Sequence, residues 1–241
     1  MITVHRSIPA GQIRLLIFDL DGTLIDSELD LANSVNAMLR HFGRKGLSPE
    51  VIANYIGDGA PMLIRRALGD PDDARYMHEA LDFFLQYYRE HKLDHTKLYP
   101  GIREALEAVR WAENNGHRVE RKFAVLSNKP VRPSSQILEG LGLRDMFVQV
   151  YGGNSFATKK PDPAGANAIL QETSTPPEQA MIVGDSEIDV VTARNAGTWS
   201  CGVNYGFRPD TLKVVPPDVL IDSPRELPLI FNEEYEEEFD N

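Results

Sequence analysis

The chain has 241 residues, of which 42% are hydrophobic, and a formal net charge of −11. This length suits one large domain or a domain with a substantial insertion, and the acidic balance argues against a nucleic-acid-binding surface. No apolar run approaches the roughly 20 residues that span a bilayer, and the first residues lack the apolar stretch of a secretory signal. The single cysteine excludes an internal disulfide. We therefore predict a cytoplasmic protein that binds no membrane.

Part of the negative charge is local. Residues 233–241 hold six acids and no base, and without them the balance is 25 Lys and Arg against 30 Asp and Glu, or −5. We predict a disordered, solubilising tail for this segment. A role in binding a partner is the alternative interpretation.

The first predicted strand covers residues 14–19 and is followed by a mostly helical stretch over residues 29–93. Apolar residues recur there at helical spacing, and the bulkiest stripe consists of Met77, Leu81, Phe84, Leu85 and Tyr88, which predicts core or interface positions. Because this stretch separates the first strand from the next helix–strand unit, we predict a helical cap over residues 26–98. The catalytic core would then comprise residues 1–25 and 99–232.

From residue 99 onward, helices and short apolar strands alternate. The predicted helices cover residues 102–114, 134–141, 164–172 and 188–196. The predicted strands cover residues 123–127, 147–151, 180–184, 200–203 and 218–222. This alternation predicts an α/β fold with a doubly wound, mostly parallel sheet, the Rossmann-like arrangement, covered by helices on both faces.

Polar side chains gather where the predicted strands end, which is the edge at which open α/β sheets place their ligands. Four strand-end regions contribute: Asp19 and Asp21, Ser127 and Asn128, Lys160, and Asp185 and Asp189. Carboxylates for a divalent cation, a hydroxyl, an amide and a lysine are the groups that phosphoryl transfer requires. The pattern therefore favours that class of chemistry.

Each of these segments also has a simpler interpretation. Asp-x-Asp-Gly is common in turns, and it also opens calcium-binding loops. An EF-hand, however, would have glycine at the position of Leu24 and glutamate at the position of Asp30, and it would follow a helix rather than a strand. Lys160 alone would be an exposed surface lysine, and Asp185 with Asp189 alone could be a strand end with a helix cap. Their common position at strand ends favours one shared site.

In their order and residue types, these segments resemble the motifs of the haloacid dehalogenase-like superfamily. Asp19-x-Asp21-Gly22-Thr23 resembles the first motif, Ser127 the second, Lys160 the third, and Gly184-Asp185-x-x-x-Asp189 the fourth. The helical insertion resembles the α-helical cap of that superfamily. Segments 57–59, 127–130 and 160–163 are most similar to those of its phosphoglycolate phosphatases.

The resemblance implies a Rossmann-like core with an inserted helical cap and a phosphatase that forms an aspartyl-phosphate. Asp19 would be the nucleophile. Asp21 would protonate the leaving alkoxide and then act as a base on water. Extended residues two apart point the same way, which suits this division of labour, and repulsion between the two carboxylates can raise one pKa. A dehalogenase releases halide and needs no such acid, so Asp21 favours phosphate chemistry.

The resemblance also implies a bound Mg²⁺, which prefers hard oxygen ligands. Asp19, the backbone carbonyl of Asp21 and Asp185 would hold the ion. Asp189 would orient metal-bound waters or the lysine.

Further groups would surround the phosphate. Lys160 and the Ser127 hydroxyl would neutralise its oxygens, with backbone N–H groups contributed by Leu20, Asp21 and Asn128. The loop of residues 57–59, with Gly59, is the candidate specificity loop, and a plain helix–helix turn is its alternative interpretation.

The expected partner is a small phosphorylated metabolite, and 2-phosphoglycolate is favoured. A sugar phosphomutase and a pyrophosphatase share the same catalytic groups and stay open at this point. A phospho-acceptor signalling domain has similar groups, but the insertion, the second acid and the chain length argue against it. The sequence is compatible with a monomer or a homodimer.

Overall fold

The computed structural model describes residues 1–114 and 117–231. Its strands are β1 (Thr3–Val4), β2 (Leu15–Phe18), β3 (Ile25–Asp26), β4 (Lys97–Leu98), β5 (Trp111–Asn114), β6 (His117–Glu120), β7 (Lys122–Leu126), β8 (Gln149–Tyr151), β9 (Ala180–Gly184), β10 (Trp199–Val203) and β11 (Val219–Ile221). Its helices are α1 (Glu28–His41), α2 (Pro49–Ala53), α3 (Ala60–Ala67), α4 (Ala74–His91), α5 (Ile102–Val109), α6 (Val131–Gly140), α7 (Ala164–Thr173), α8 (Glu187–Ala196) and α9 (Pro209–Val214). Short 3-10 segments cover Ala10–Gln12, Arg144–Met146, Pro177–Gln179 and Pro224–Phe231.

Seven of the strands form one sheet in the order β1-β11-β10-β9-β2-β7-β8. β1 runs antiparallel to β11, and the other neighbouring pairs are parallel. β2 lies between β9 and β7, with Phe18 paired to Val183 on one side and Val125 on the other, so these three strands end at the same level. The predicted mostly parallel α/β sheet is therefore confirmed.

Helices cover both faces of this sheet. Leu15 and Ile17 of β2 pack into a cluster with residues of α7 and α8, whereas Leu16 and Phe18 pack into a larger cluster on the other face. Successive residues of a strand point to opposite faces, so the four buried apolar residues of β2 contribute side chains to the hydrophobic core on each face of the sheet. Each such side chain stabilises the fold by about 1.5–3 kcal/mol.

Helices α1 to α4 lie between β3 and β4, which pair antiparallel as a separate two-stranded ribbon with Ile25 opposite Leu98. The ribbon joins the two points where the chain enters and leaves the helical segment. The division into core, cap and tail at these residues stays a prediction, and the predicted tail lies outside the described residues. Within the described part of the chain, no helix is both long enough and apolar enough to cross a membrane.

The predicted helix over residues 102–114 is wrong in its second half. α5 ends at Val109, and Trp111–Asn114 instead pairs antiparallel with His117–Glu120. The buried guanidinium of Arg121 donates hydrogen bonds to the carbonyls of Val109 at 3.0 Å and Trp111 at 3.2 Å. A cation bound to the last carbonyls stabilises a helix end at this place.

Asp30 connects α1 to the segment that leads into β4. Its buried carboxylate accepts hydrogen bonds from the backbone N–H groups of His95 at 3.0 Å and Thr96 at 2.8 Å, and from the Thr96 hydroxyl at 2.7 Å. Burial raises the pKa of Asp30, but these hydrogen bonds outweigh burial and bring the pKa below its usual value. The ionised carboxylate therefore stabilises the folded chain.

We expect Asp30→Asn to lower the free energy of unfolding by about 3 kcal/mol, because an amide cannot accept all of these hydrogen bonds. A carboxyl whose pKa is depressed on folding stabilises above the unfolded-state pKa of about 3.9 and loses this effect as the pH falls through its folded value. The stability difference between wild type and variant should therefore be complete at pH 7 and smaller at about pH 3.5. Urea unfolding at both pH values measures this stability difference.

The matched control is Asp82→Asn, because Asp82 lies in an exposed pair with His78. This variant should change stability by less than about 0.5 kcal/mol. Equal stability of the two variants would contradict the stabilising role of the Asp30 carboxylate.

Candidate active site

The predicted site residues follow neighbouring strands of the sheet. Asp19 comes directly after β2, and its N–H donates to the carbonyl of Val183 in β9 at 2.9 Å. Asp185 follows β9, and Ser127 follows β7, where its N–H donates to the Tyr151 carbonyl at 3.0 Å. Because these parallel strands end at the same level, the residues after them meet at one edge of the sheet.

Three carboxylates and one lysine form the centre of this edge. Asp19, Asp185 and Asp189 each place a carboxylate oxygen within 4.8 Å of the others. The Lys160 ammonium lies 2.9 Å from Asp19 Oδ1 and 2.6 Å from Asp189 Oδ1. All four side chains are nearly inaccessible to solvent. The described cluster thus contains three buried acids and one cation, and the Asp21 side chain is not part of the three-carboxylate group.

Burial and mutual repulsion shift the ionisation of these groups. Burial raises the pKa of Asp19 to about 6, with Lys160 opposing the rise and Asp189 adding to it. Burial and the carboxylates of Asp189 and Asp19 raise the pKa of Asp185 to about 8. Burial disfavours the charge on Lys160, but the two carboxylates that it contacts outweigh burial and hold its pKa above the usual value. The cluster therefore favours a further cation near Asp19 and Asp185.

Asp185 and Asp189 are held by the loops around them. Asp189 Oδ2 accepts from the backbone N–H of Ser186 at 3.3 Å and from its hydroxyl at 3.0 Å, which caps α8, while Oδ1 contacts Lys160. Asp185 Oδ2 accepts from the N–H groups of Phe207 at 2.7 Å and Arg208 at 3.3 Å. Asp189 thus contacts the Lys160 ammonium in the described structure, and its role in orienting the lysine or metal-bound waters stays a prediction.

Asp21 lies beside the cluster with a separate set of partners. Its Oδ1 accepts a hydrogen bond from the Ser27 hydroxyl at 2.5 Å. The ammonium of Lys129 lies 2.9 Å from both of its carboxylate oxygens. Ser27 follows β3, and Lys129 follows the Ser127-Asn128 pair after β7. Ser27 and Lys129, which belong to different segments of the chain, therefore fix the orientation of the Asp21 carboxylate.

The predicted phosphate-binding groups lie around Asp19. Asn128 uses its side chain to hold the lysine loop, because its Oδ1 accepts from the Lys160 N–H at 3.0 Å and its Nδ2 donates to the Lys160 carbonyl at 3.1 Å. Ser127 is buried at the strand end. Within the described residues, the backbone N–H groups of Leu20, Asp21 and Asn128 donate no hydrogen bond. They are free to donate to a bound oxyanion.

A cavity of about 60 Å³ opens between this edge and the helical segment. Asp19, Asp21, Ser127, Asn128 and Lys129 line it from the sheet side. The helical side is mostly apolar and consists of Leu31, Ile56, Leu63, Phe84, Leu85 and Tyr88. The cavity is small, and among the described residues its charged lining residues, Asp19, Asp21 and Lys129, are on the sheet side.

The loop of residues 57–59 also reaches this cavity. The Asn128 amide donates to the Gly57 carbonyl at 3.0 Å, and Arg208 lies 3.7 Å from the Asp58 carboxylate. Gly59 has a φ of +86°, and a Cβ there would lie 3.1 Å from the Asn128 carbonyl oxygen. The structure thus brings Gly59 to the site, and the loop contacts the sheet side directly.

Three residues that contact the site were not predicted as site residues. Lys129 directly follows the Ser127-Asn128 pair at a strand end, and this position in the sequence is a signal that could have identified it as a site residue. Tyr88 belongs to the apolar stripe for which the sequence predicts core or interface positions, because nothing local marks its hydroxyl. Ser27 is an ordinary residue before a helix, and only the folded chain places it on Asp21.

The chain resembles known proteins in sequence and in fold. Residues 16–203 match the family model described as haloacid dehalogenase-like hydrolase. The chain is 39% identical to the phosphoglycolate phosphatase of Chromobacterium violaceum over 199 residues, which is 81% of this chain and 86% of the relative. It is 38% identical to that of Pseudomonas putida over 233 residues, covering 92% and 81% of the two chains.

The fold has a similar counterpart among solved structures. The crystal structure of a predicted phosphoglycolate phosphatase from Haemophilus somnus superimposes with a TM-score of 0.82 at 30% sequence identity. The match covers 92% of this chain and 99% of the other. Both the sheet and the helical segment therefore fall within the shared region.

Proposed function

The chain belongs to the haloacid dehalogenase-like hydrolase family and is a phosphatase of that family, and from this premise we propose that it is a Mg²⁺-dependent phosphomonoesterase that forms an aspartyl-phosphate on Asp19 and acts on 2-phosphoglycolate. The observation that carries the proposal is the buried group of Asp19, Asp185, Asp189 and Lys160 beside a small cavity. Negative charge concentrated where an anion must bind requires a cation, and positioning with charge neutralisation accounts for most catalysis in phosphoryl transfer.

The donor set of the cluster fits Mg²⁺. All the side-chain ligands are carboxylate oxygens, the hard donors that this ion prefers. Burial and the neighbouring carboxylates raise the pKa of Asp185, and a bound cation would favour its ionised form. Asp19, Asp185 and the backbone carbonyl of Asp21 would hold the ion. When bound, the ion supplies positive charge to the transferring phosphoryl group.

Side chains of the protein carry out the nucleophilic attack, the proton transfers and the neutralisation of phosphate charge. The carboxylate of Asp19 attacks phosphorus, so that one difficult displacement becomes two easier ones. Asp21, oriented by Ser27 and Lys129, gives the proton of its carboxylic acid form to the leaving oxygen. The resulting carboxylate then takes a proton from the water that attacks the aspartyl-phosphate, which releases phosphate and restores Asp19. Lys160 neutralises phosphate oxygens together with the Ser127 hydroxyl.

The free N–H groups of Leu20, Asp21 and Asn128 donate to the same phosphate oxygens. Asp189 keeps the Lys160 ammonium in place, since it lies 2.6 Å from it. These groups are fixed before substrate binds, so little reorganisation accompanies the reaction.

The choice of substrate rests on the relatives and on the cavity. The two relatives compared above carry the name phosphoglycolate phosphatase. A cavity of about 60 Å³ has room for roughly five water molecules at about 10–15 Å³ each, which favours a leaving group of a few atoms over a sugar. The mutase alternative loses support on this ground, whereas the pyrophosphatase alternative does not, because its leaving group, phosphate, is as small as glycolate. The cytoplasmic location and the choice between monomer and homodimer stay predictions.

Phosphate release from a panel of three phosphate esters and one anhydride, pyrophosphate, tests the proposal. The panel contains 2-phosphoglycolate, glucose 1-phosphate, pyrophosphate and p-nitrophenyl phosphate, each with and without Mg²⁺. We expect Mg²⁺-dependent release that is fastest with 2-phosphoglycolate. Even rates across the panel would overturn the substrate assignment, and no release from any ester would overturn the hydrolase mechanism and favour a phospho-acceptor role.

The loop of residues 57–59 gives a second test of the substrate. Gly59→Val places a branched side chain against the Asn128 carbonyl at a positive φ, so the loop must move away from the cavity. We expect the KM for 2-phosphoglycolate to rise about tenfold or more, and the KM for p-nitrophenyl phosphate to change much less, because the aryl ester depends mainly on the phosphate cradle.

The matched control is Gly69→Val. Gly69 has a φ of +79°, but no atom lies within 4 Å of a Cβ built there, so the variant carries the backbone strain without the contact. Both KM values should stay near those of wild type. Equal rises for the two esters in Gly59→Val would show that the loop does not select the leaving group.

A further inference from the structure

The cavity has a cationic end that the mechanism above uses only to orient Asp21. Lys129 is buried, and its ammonium contacts both oxygens of Asp21 at 2.9 Å. An ammonium has three N–H donors, so one remains beyond the two that face Asp21, on the side where Tyr88 interacts with the same ammonium. Burial disfavours the charge, but Asp21 outweighs burial and holds the pKa of Lys129 above its usual value.

Tyr88 faces the same end of the cavity from α4. Its side chain is 4% exposed, and its ring centroid lies 4.7 Å from the Lys129 ammonium. Its hydroxyl interacts with the Lys129 ammonium, but it makes no hydrogen bond of good geometry among the described residues, and its own proton has no acceptor there. A buried hydroxyl without a partner costs roughly 1–3 kcal/mol, so its position indicates an acceptor supplied by a ligand. Burial raises the pKa of Tyr88 to about 12, and the hydroxyl is therefore a neutral donor at pH 7.

We propose that the Lys129 ammonium and the Tyr88 hydroxyl form a subsite for a carboxylate on the leaving group of the substrate. This inference rests on the proposed phosphatase function and names the feature by which the site selects its ester. A carboxylate has two oxygens, one for each donor. A second phosphate group would carry more negative charge, against a single ammonium that Asp21 already partly neutralises.

The position of the subsite limits the distance between the two ends of the substrate. Lys129 contacts Asp21, which protonates the leaving oxygen, so a group bound to Lys129 lies within a few bonds of that oxygen. In 2-phosphoglycolate the carboxylate is attached to the carbon that carries the ester oxygen. The apolar wall of Leu31, Phe84 and Leu85 offers nothing to the hydroxyl groups of a sugar.

The subsite also joins the two parts of the molecule that face each other across the cavity. Lys129 follows β7 of the sheet, whereas Tyr88 belongs to α4 of the helical segment. A carboxylate bound to both side chains stabilises the arrangement in which the segment covers the site. An ester without this group loses that stabilisation, and the effect falls on kcat as well as on KM.

Paired substrates and paired variants test the inference. The substrates are 2-phosphoglycolate and ethyl phosphate, which has the same ester linkage and no carboxylate. Tyr88→Phe should lower kcat/KM for 2-phosphoglycolate about tenfold or more and change that for ethyl phosphate less than about twofold. Tyr87→Phe is the matched control, because Tyr87 is the adjacent residue of α4 and stacks on Phe83 and His91 away from the cavity; it should change neither value.

Lys129→Met tests the cationic half of the subsite. It should lower both rates, because Asp21 loses a partner, but the preference for 2-phosphoglycolate over ethyl phosphate should fall towards one. Equal losses for the two esters in Tyr88→Phe, or a preserved preference in Lys129→Met, would overturn the inference while hydrolysis itself stands.

A binding measurement separates this inference from the proposed function. If wild type hydrolyses none of the esters, the proposed function fails, and calorimetry of wild type and Tyr88→Phe with both compounds still decides the subsite. Tighter binding of 2-phosphoglycolate than of ethyl phosphate, lost in Tyr88→Phe, supports it. Equal affinities in wild type, or a preference that Tyr88→Phe retains, would reject it.

Discussion

Asp19→Asn is expected to reduce phosphate release by at least about 10⁴-fold with every ester, the scale seen when a nucleophile is removed. An amide oxygen does not form the covalent intermediate, and the reaction loses its two-step route. The substitution preserves the size of the side chain and leaves two of the three buried acidic groups. The folded variant should therefore be at least as stable as wild type in the absence of divalent cations, because less repulsion remains around Asp185.

Kinetics and thermal unfolding together test this expectation. Asp94→Asn is the control, because Asp94 lies in an exposed pair with His91 and should keep wild-type kinetics. Turnover by Asp19→Asn at a rate near wild type would contradict the role as nucleophile. A large fall in melting temperature without added metal would show that the lost activity reflects unfolding rather than chemistry.

Asp21→Asn separates the acid from the nucleophile. Its effect should depend on the leaving group, with a loss of about 10²–10⁴-fold for 2-phosphoglycolate. The loss should be smaller for p-nitrophenyl phosphate, because nitrophenolate leaves without a proton. Losses of the same size for both esters would indicate that Asp21 acts by position or charge and not by proton transfer.

The sequence is sufficient to predict the strand-end residues of this site, because each of them lies next to an apolar run. Asp19, Ser127 and Asp185 directly follow short buried strands, and neighbouring parallel strands bring such positions together whatever the rest of the chain does. The mostly parallel sheet is predictable for the same reason, since apolar strands and amphipathic helices alternate along the chain.

Contacts between distant parts of the chain explain what the sequence did not reveal. The helix predicted over residues 102–114 stops at Val109 because Arg121 binds the carbonyls at its end, and no local pattern marks that arginine as buried. Tyr88 and Lys129 are distant in sequence and meet only where α4 faces the sheet. Helical periodicity assigns a buried tyrosine to the core and does not distinguish a hydroxyl that faces a cavity.

Gly22 lies against Asp185, one of the proposed metal ligands. We therefore expect Gly22→Ala to lower kcat by about 10²-fold, the cost of misplacing a catalytic group by roughly 1 Å. Gly22 has a φ of +84°, and a Cβ there would lie 2.3 Å from Asp185 Oδ2. Asp185 cannot simply move away, because the N–H groups of Phe207 and Arg208 hold the same oxygen. The concentration of Mg²⁺ needed for half-maximal activity should rise in parallel.

Gly69→Ala separates this contact from backbone strain. Its φ of +79° is nearly the same, and no atom lies within 4 Å of the added methyl, so both variants should lose about 1 kcal/mol of stability from the left-handed backbone. Only Gly22→Ala should also lose activity and affinity for Mg²⁺, measured by kinetics over a range of metal concentrations. Unchanged kcat and metal dependence in a folded Gly22→Ala protein would mean that Asp185 has no part in the reaction, because its carboxylate must shift to admit the methyl group.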